Sequence, residues 1–256
     1  MHNLDNILIH KTIAFEQENA SFIRPATITR KTDCVVIFVT SKAVVARNIL
    51  HRAKHGKKMN THTRTVGIIV FDQVEVMDFA GPYEVFSLAT QIADMHTFDV
   101  SLVAQSEGHV TGRNNFTVVP QYTFENCPSP DILIIPGGPG ARVEENNETM
   151  LNWVRIKANG AEMVASVCTG ARVLAKAGLL DGLESTTHWN SIEELRQMAP
   201  TAIVHAERRF VDNGKVLTSA GVSAGIDMSL HIVRRLSGEK IAADVAHMME
   251  YKPQSS

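Results

Sequence analysis

The chain has 256 residues, 44% of them hydrophobic and 20% charged, which is typical of a globular protein with a sizeable core. Its three cysteines, Cys34, Cys127 and Cys168, are odd in number and irregularly spaced. That pattern argues against a disulfide framework and for a reducing compartment, so we expect a cytoplasmic protein. No apolar run is long enough to cross a bilayer, and no membrane partner is predicted.

Charge divides the chain into two parts. Residues 1–64 carry eleven Lys or Arg against four Asp or Glu, whereas residues 65–256 carry fourteen against twenty-three. The acidic larger part argues against nucleic-acid binding. We interpret residues 1–64 as an N-terminal extension without packed structure, or as an over-called start upstream of Met59, although 33–39 resembles a strand. Residues 65–256 are predicted to form one domain.

From residue 65 onward, apolar runs of strand length alternate with helical patterns. The predicted strands are 65–71, 98–104, 116–119, 122–124, 131–135, 162–167, 185–189, 202–205, 209–211 and 215–219. The predicted helices are one with Pro82 in its first turn, then 150–157, 171–179, 191–198, 224–236 and 239–251. Apolar strands alternating with helices are typical of parallel strands covered on both faces. We therefore predict a flavodoxin-like α/β three-layer sandwich with a mostly parallel sheet and one antiparallel hairpin, which turns at 212–214.

One stretch, residues 163–172, changes from an apolar strand to a helical pattern at Cys168. Gly170 and Ala171 follow where the chain must turn sharply. This is the pattern of a nucleophile elbow, which holds a nucleophile above the carboxyl end of a sheet. The N-terminus of the next helix favours a thiolate, so the pattern predicts a low pKa for Cys168. A buried core cysteine accounts for the same stretch equally well.

Two other predicted strands are followed by residues suited to a site. Asp78 comes after the first strand, and Gly137 and Gly138 come after the Ile-rich strand. If these strands are neighbours, the residues share one crevice with Cys168. The glycine N–H groups, with that of Thr169, are candidates for an oxyanion hole, although the glycines also suit a plain tight turn. Asp78 is either a helix N-cap or a functional acid of raised pKa.

His188 is the histidine that we expect nearest to the turn, either as a base or as a structural residue. The other histidines of the domain are isolated from cysteines and from one another, so no metal site is predicted. Neither a Walker loop nor a Gly-x-Gly-x-x-Gly motif is present, and no cofactor is predicted.

Seven short segments, in order, resemble the DJ-1/PfpI superfamily. They are residues 67–71, 77–82, 135–138, 166–170, 177–182, 186–189 and 219–227. Within the superfamily, the set is most similar to isonitrile hydratases and to the class I glutamine amidotransferase-like domains of AraC-type regulators. The resemblance implies a flavodoxin-like fold, usually dimeric, with Cys168, Asp78 and Thr169 as catalytic residues.

Departures from the superfamily's patterns narrow the expected activity. PfpI-type peptidases place a histidine where this chain has Thr169, and DJ-1 has a glutamate where this chain has Asp78. Both differences favour isonitrile hydration over peptidase, deglycase and glyoxalase activity. AraC-type regulators append a helix-turn-helix pair, and this chain stops at Ser256, so we expect no DNA-binding half.

We therefore predict a homodimeric, cofactor-independent lyase that hydrates isonitriles to N-substituted formamides through a covalent thioimidate on Cys168. Asp78 supplies and removes protons, Gly137, Gly138 and His188 contact the small-molecule substrate, and no nucleic acid takes part. One alternative is a sensing domain for a ligand or an oxidant, with Cys168 as the oxidised group. Another is DJ-1-like hydration of α-oxoaldehydes.

Overall fold

The computed structural model describes residues 63–93 and 97–254. The N-terminal extension up to residue 62, including the strand predicted at 33–39, lies outside the described residues. In the part that is described, no helix is both long and apolar enough to cross a membrane.

Short strands and helices alternate along the described chain. The strands are β1 (Arg64–Ile69), β2 (Phe98–Ala104), β3 (Val110–Thr111), β4 (Thr117–Val118), β5 (Tyr122–Thr123), β6 (Ile132–Ile135), β7 (Met163–Val167), β8 (Glu184–Ser185), β9 (Ile203–Val204), β10 (Phe210–Asp212) and β11 (Val216–Ser219). The α-helices are α1 (Val76–Ile92), α2 (Ala141–Glu144), α3 (Glu148–Gly160), α4 (Gly170–Lys176), α5 (Ile192–Met198), α6 (Ala224–Ser237) and α7 (Glu239–Met248). Two short 3-10 segments cover Arg113–Asn115 and Trp189–Ser191.

The main sheet has seven strands in the order β10-β11-β7-β6-β1-β2-β5. Every pairing in it is parallel except that of β10 with β11. The predicted mostly parallel sheet and its antiparallel hairpin are confirmed. At the hairpin turn, Gly214 has a φ of 86°, a conformation that glycine adopts without strain.

Helices cover both faces of this sheet, because successive strands are added on both sides of the central pair β1 and β6. From β1 the chain moves outward to β2, whereas from β6 it moves the opposite way to β7 and β11. Crossovers between parallel strands are right-handed, so α1 lies on one face and α3, α4 and α5 lie on the other. Helices α6 and α7 pack beside α1. The predicted three-layer, flavodoxin-like arrangement is confirmed.

The reversal of direction falls between the adjacent strands β1 and β6. Ligands of open α/β sheets bind at such a switch point, beyond the carboxyl ends of the strands. The strands β1, β6 and β7 are consecutive neighbours, as the prediction of a shared crevice requires. All residues of β6 and β7 are buried, so their side chains form the core beneath that edge.

Several predicted boundaries differ from those of the structure. Helix α1 begins at Val76 rather than near Pro82, which lies inside it. A proline ring fits helical φ, but Pro82 has no N–H to donate to the carbonyl of Asp78. Helix α7 ends at Met248 rather than near residue 251, because Glu250 has a φ of 49°. The two-residue strand β3 and the one-turn helix α2 are too short to show a periodic pattern.

The strand predicted at 185–189 is wrong beyond Ser185. There the chain is held through side-chain hydroxyls instead of a ladder of backbone bonds. The Thr186 N–H donates to Thr218 Oγ1 at 2.9 Å, and Thr187 Oγ1 donates to the Cys168 carbonyl at 2.7 Å. This anchoring attaches the segment that carries His188 to the end of β7.

Candidate active site

Cys168 lies between β7 and α4 with a φ of 56°, which is unusual for a residue with a side chain. Its N–H donates to the carbonyls of Ser219 and Ala220, each at 3.1 Å. Its own carbonyl accepts the bond from Thr187, so both sides of the peptide are held. The predicted sharp strand-to-helix turn at Cys168 is confirmed, and its strained backbone is fixed by neighbouring segments.

Gly170 allows the helix that follows Cys168 to pack directly on the end of β6. A Cβ atom at Gly170 would lie 2.1 Å from the Ile135 carbonyl oxygen. Since no side chain fits there, this glycine is a steric requirement of the turn, as the sequence pattern predicts.

Asp78 lies in the first turn of α1, and its side chain is completely buried. Its Oδ2 atom accepts a hydrogen bond from the Gly137 N–H at 3.0 Å. Its Oδ1 atom has no hydrogen-bond partner among the described residues. The N-cap of α1 is Glu75, so the interpretation of Asp78 as a helix cap is wrong. A buried carboxyl group with one unpaired oxygen is available for chemistry.

The Gly137-Gly138 loop connects Asp78 with Thr169. The Gly138 N–H donates to Thr169 Oγ1 at 2.9 Å, and that hydroxyl lies 3.2 Å from the Gly138 carbonyl oxygen to which it donates. A Cβ atom at Gly137 would lie 2.5 Å from the Thr169 nitrogen. The two glycine N–H groups predicted as oxyanion donors are already bound by Asp78 and Thr169, whereas the third predicted donor, the Thr169 N–H, acts on Cys168. In this geometry the glycine N–H groups orient the side chains of Asp78 and Thr169.

The electrostatics of the site differ from the prediction. Burial raises the pKa of Asp78 to about 7, against the opposing effect of the Gly137 N–H. Burial also raises the pKa of the Cys168 thiol to about 12, and the charge of Asp78 raises it further, although the Thr169 N–H opposes both. The predicted low-pKa thiolate is wrong, because desolvation outweighs the helix N-terminus at this position. Asp78 is thus the member of the pair that titrates near neutral pH.

His188 borders the site, but its ring is engaged elsewhere. Its Nδ1 atom lies 2.5 Å from Asn190 Oδ1 and 3.4 Å from the Asn190 nitrogen, at the start of the 3-10 segment. A Cβ atom at Gly221 would lie 2.3 Å from the imidazole Cδ2 atom, so the ring lies flush against that glycine. This arrangement supports the structural alternative for His188 and provides no contact with Cys168 or Asp78 for a base.

Val222 is a site residue that sequence reasoning missed. Its φ is 49°, a strained value for a β-branched residue, and its N–H makes a minor contribution that lowers the pKa of the Asp78 carboxyl group. A glycine or asparagine would have signalled this conformation in the sequence, whereas valine gives no such signal. The only available hint was its position between Gly221 and Gly225 in a motif of small residues.

A buried group of charges also went unpredicted. Arg172 in α4 forms ion pairs with Glu145, just after α2, and with Glu194 in α5; its Nη2 atom lies 2.8 Å from Glu145 Oε1. Arg172 is itself buried. The cluster fastens together the helices that follow the glycine loop, the Cys168 turn and the His188 segment. It thereby maintains the relative positions of the loops around the thiol.

A mostly parallel α/β sheet, a cysteine at a strained strand-to-helix turn and a buried carboxyl group beside it define a class of thiol-centred α/β domains. This chain belongs to the DJ-1/PfpI family, whose model matches residues 64–235.

Similar proteins include enzymes and regulators. The chain is 35% identical to the isonitrile hydratase of Pseudomonas putida over 189 residues, which are 73% of this chain and 78% of that one. It is 24% identical to the HTH-type transcriptional regulator GbdR of Pseudomonas aeruginosa over 193 residues, which are 75% of this chain and 52% of the regulator. This chain thus spans about half the length of that regulator.

Solved structures share the fold. The crystal structure of a ThiJ/PfpI family protein from Pseudomonas syringae matches with a TM-score of 0.69 at 30% identity, covering 78% of this chain and 81% of that one. Drosophila melanogaster DJ-1beta matches with a TM-score of 0.66 at 19% identity, over 75% of this chain and all of that one, and shows the fold alone.

Proposed function

We propose that this protein is an enzyme that hydrates isonitriles to N-substituted formamides through a covalent thioimidate on Cys168. The observation that carries the proposal is the buried pair of Asp78, with a pKa of about 7, and the Cys168 thiol, with a pKa of about 12. A base that is half ionised at neutral pH beside a protonated nucleophile suits chemistry in which one proton moves back and forth. The similarity to the Pseudomonas putida isonitrile hydratase supports the substrate class.

The first half of the reaction adds the thiol across the terminal carbon of the isonitrile. Asp78, as the carboxylate, takes the thiol proton while the sulfur forms a bond to that carbon. The electron pair left on the carbon then takes the proton back from Asp78. The product is a thioimidate in which carbon carries hydrogen, sulfur and a double bond to nitrogen, and Asp78 is again a carboxylate.

The second half hydrates this intermediate. Asp78 removes a proton from water as the water oxygen bonds to the thioimidate carbon, and it passes that proton to nitrogen. Next, Asp78 takes the hydroxyl proton, a carbonyl forms, and the carbon–sulfur bond breaks with its electron pair on sulfur. Transfer of the proton to sulfur restores the thiol. One isonitrile and one water have become one formamide, without redox change.

Thr169 supports both halves through its backbone. The Thr169 N–H lowers the pKa of the Cys168 thiol, so it stabilises charge on the sulfur as that charge forms and disappears. The Thr169 hydroxyl is occupied with Gly138 and holds the glycine loop that orients Asp78. Gly137 and Gly138 therefore contribute to substrate binding indirectly, because they hold Asp78 in place. His188 lies at the border of the site.

The test is formation of N-substituted formamide from a panel of small isonitriles, followed by chromatography with mass detection. Wild type and Cys127→Ala should both turn over, since Cys127 is a buried free cysteine that precedes the amino end of β6, whereas Asp78 binds the loop beyond the carboxyl end of that strand. In Cys168→Ala the rate should fall by a factor of at least about a thousand, while the thermal unfolding transition stays where it is in wild type. Undiminished activity in Cys168→Ala would end the mechanism, and consumption of methylglyoxal alone would favour α-oxoaldehyde hydration.

A second candidate function is ligand sensing, which the match to the regulator GbdR over most of this chain favours. Oxidant sensing is disfavoured, because peroxide reacts with thiolates and burial keeps Cys168 protonated. A sensor would bind an isonitrile without releasing formamide. Intact mass after incubation with an isonitrile, and separately after mild peroxide, distinguishes stable adduct, turnover and oxidation.

We also propose that the working form is a cytoplasmic homodimer that needs no cofactor. The free thiols of Cys127 and Cys168 support a reducing compartment. Membership of the DJ-1/PfpI family, for which the sequence resemblance implies a dimer, supports the homodimer, and Trp189, a large apolar side chain that is 77% exposed, is a residue whose contribution can be tested. Light scattering during gel filtration, on wild type and Trp189→Ser, measures the oligomeric state and the contribution of this side chain.

A further inference from the structure

Arg172 is a buried arginine whose guanidinium group binds two carboxylates from different segments. Its Nε and Nη2 atoms donate to the two oxygens of Glu145, with Nη2 2.8 Å from Oε1, and its Nη1 atom donates to Glu194 Oε2. Arg172 is 6% exposed and Glu145 is 8% exposed. Because a guanidinium group is planar, it fixes the directions of both carboxylates relative to helix α4, which carries it. We name Arg172, Glu145 and Glu194 the Arg172 cluster.

The Gly137-Gly138 loop connects the two halves of the candidate active site. Toward α1, the Gly137 N–H donates to Asp78 Oδ2 at 3.0 Å. Toward α4, the Gly138 N–H donates to Thr169 Oγ1 at 2.9 Å. Thr169 directly follows Cys168, so this loop links the position of the carboxyl group to that of the turn that carries the thiol.

The Arg172 cluster gives that loop a second attachment to α4. A hydrogen bond to Thr169 alone would leave the loop free to pivot about one point. Glu145 directly follows the one-turn helix α2, which comes after Gly138 in the chain. Arg172 lies about one turn further along α4 than Thr169. The pair of Glu145 with Arg172 therefore attaches the far end of the segment to the same helix, and two attachments fix its orientation.

The segment on the other flank of the thiol is attached in the same way. Thr187 Oγ1 donates to the Cys168 carbonyl at 2.7 Å, and Glu194, further along the chain in α5, pairs with Arg172. Glu194 also pairs with Arg142 in α2, at 2.9 Å. Arg172 is thus the residue at which the segments on both flanks of the thiol meet.

We propose that the Arg172 cluster positions the glycine loop for catalysis, and thereby holds the Asp78 carboxyl group in place relative to the Cys168 thiol. Its members are positioning residues, because none of them touches the reacting atoms. The inference deepens the proposed function and rests on the roles of Asp78 and Cys168 in it. Reacting groups must meet within a narrow range of distance and angle, and a misplacement of about 1 Å can cost about a hundredfold in rate.

The alternative role for the Arg172 cluster is stability alone. Taking an ion pair out of water offsets most of its Coulombic gain, and apolar side chains of similar volume often stabilise a protein equally well. The double variant Arg172→Met/Glu145→Met makes that replacement, and Glu194 keeps its partner Arg142. A cluster that serves only stability is replaceable in this way without a change in the glycine loop, whereas a positioning cluster is not.

The experiment measures amide hydrogen exchange by NMR on the whole chain without substrate, and kcat and KM for isonitrile hydration on the same proteins. Arg172→Lys keeps the charge but cannot form the planar fork, so exchange of the Gly137 and Gly138 N–H groups should become at least about tenfold faster. Exchange of the Ile134 N–H, in buried strand β6, should stay unchanged, which excludes global unfolding as the cause. We expect kcat to fall by a factor of about ten to a hundred, with KM changed by less than about twofold.

The double variant separates positioning from stability. We expect Arg172→Met/Glu145→Met to unfold in urea near the wild-type midpoint and still to show the faster exchange at Gly137 and the lower kcat. Wild-type exchange and kcat in a double variant of wild-type stability would mean that the cluster serves stability alone, and would overturn the inference. Unchanged exchange of Gly137 and Gly138 in Arg172→Lys overturns it even if the double variant fails to fold.

Arg64→Lys is the matched control. Arg64 forms the same kind of fork, with Nε 2.7 Å and Nη2 3.3 Å from the two oxygens of Glu162. This pair lies at the amino ends of β1 and β7, whereas the thiol lies beyond their carboxyl ends. Exchange at Gly137 and kcat should therefore stay at their wild-type values in Arg64→Lys. An acceleration equal to that in Arg172→Lys would show that loss of any such fork loosens the loop, and would contradict the inference.

Hydrogen exchange also separates this inference from the proposed function, because it reports on the glycine loop whether or not any isonitrile is turned over. If wild type hydrates no isonitrile but exchange at Gly137 responds as expected, the positioning of the loop stands and the assigned activity fails. If isonitriles are hydrated and Arg172→Lys changes neither exchange nor kcat, the inference fails and the activity stands.

Discussion

The Gly137 N–H donates a hydrogen bond of 3.0 Å to Asp78 Oδ2, while Oδ1 finds no partner within the described part of the chain. One oxygen is thus used for orientation, and the other is left for protons. Because both groups are buried, the pKa of each is raised: the Cys168 thiol stays protonated near neutral pH, whereas Asp78 is about half ionised there. The proton is therefore transferred when substrate reacts, instead of being lost beforehand to solvent.

The first prediction concerns the pH dependence of catalysis. The base form of Asp78 is required to take the thiol proton, so kcat/KM should rise with pH through an apparent pKa of about 7 and level off above it. In Asp78→Asn the rate should fall by a factor of about a hundred or more. The increase of kcat/KM with pH should also disappear in this variant. Initial rates of formamide production across pH measure both, and a wild-type midpoint near 4 contradicts the assignment.

The second prediction concerns stability. The pKa of Asp78 is raised from 3.8 to about 7 on folding, so its protonated form contributes stability that is lost as pH rises across that interval. Above it, wild type carries a buried charge that Asp78→Asn avoids. The free energy of unfolding of Asp78→Asn minus that of wild type should therefore increase as pH rises from acid to alkaline. The increase should reach up to about 4 kcal/mol.

Urea unfolding of both proteins at several pH values measures that difference. Asp212→Asn is an informative contrast, because the pKa of Asp212 is lowered: desolvation raises it, but the hydrogen bonds from His231 and the Gly214 N–H, together with the charge of Arg235, outweigh that effect. Its replacement should cost stability as pH rises, which is the opposite sign. A constant difference between Asp78→Asn and wild type across pH would show that burial does not perturb Asp78.

The third prediction concerns the glycine loop. A methyl group at Gly137 would lie 2.5 Å from the Thr169 nitrogen and 2.9 Å from Asp78 Oδ2, so Gly137→Ala forces the three residues apart. We expect a loss of about 1–3 kcal/mol in stability and nearly complete loss of turnover. Gly160→Ala, with no atom within 4 Å of the new methyl group, should leave both unchanged or slightly improve stability. Retained activity in Gly137→Ala would refute this arrangement.

The fourth prediction concerns the reactivity of the thiol. With a pKa of about 12, Cys168 should react with iodoacetamide more slowly than glutathione does at pH 8. Removing the neighbouring charge in Asp78→Asn lowers the pKa of Cys168, so alkylation should become faster in the very variant that loses turnover. Peptide mass spectrometry locates the modified cysteine. Faster alkylation in wild type than in Asp78→Asn would reverse the electrostatic assignment.

Much of the candidate site could be predicted from local patterns. The Cys168 turn follows from an apolar strand that stops against small residues, and the steric demand at Gly170 is visible in its residue type. The prediction of a shared crevice depended on the strands before Asp78, Gly137 and Cys168 being neighbours, which the sequence left open and the structure shows. The predicted start of α1 is wrong because proline is typical of the first turn of a helix, whereas Pro82 lies in the interior of α1.

Other parts of the site could not be predicted. Valine carries no signal for positive φ, so the sequence did not indicate the turn at Val222, and it did not indicate the ion pairs of Arg172 or that of Arg209 with Asp227. The two N–H groups of the glycine loop were expected to face substrate, but Asp78 and Thr169 bind them first. These hydrogen bonds join residues that are far apart in the chain, so no local sequence pattern indicates them.

The sequence by itself determined the order of strands and helices, the position of the Cys168 turn and the family likeness, because these depend on residue type and short-range periodicity. Only the tertiary structure decided which of the two buried groups holds the proton. A pKa depends on how completely water is excluded and on which dipoles point inward. Around Asp78 those conditions are set jointly by the glycine loop, the Cys168 turn and the strained backbone of Val222.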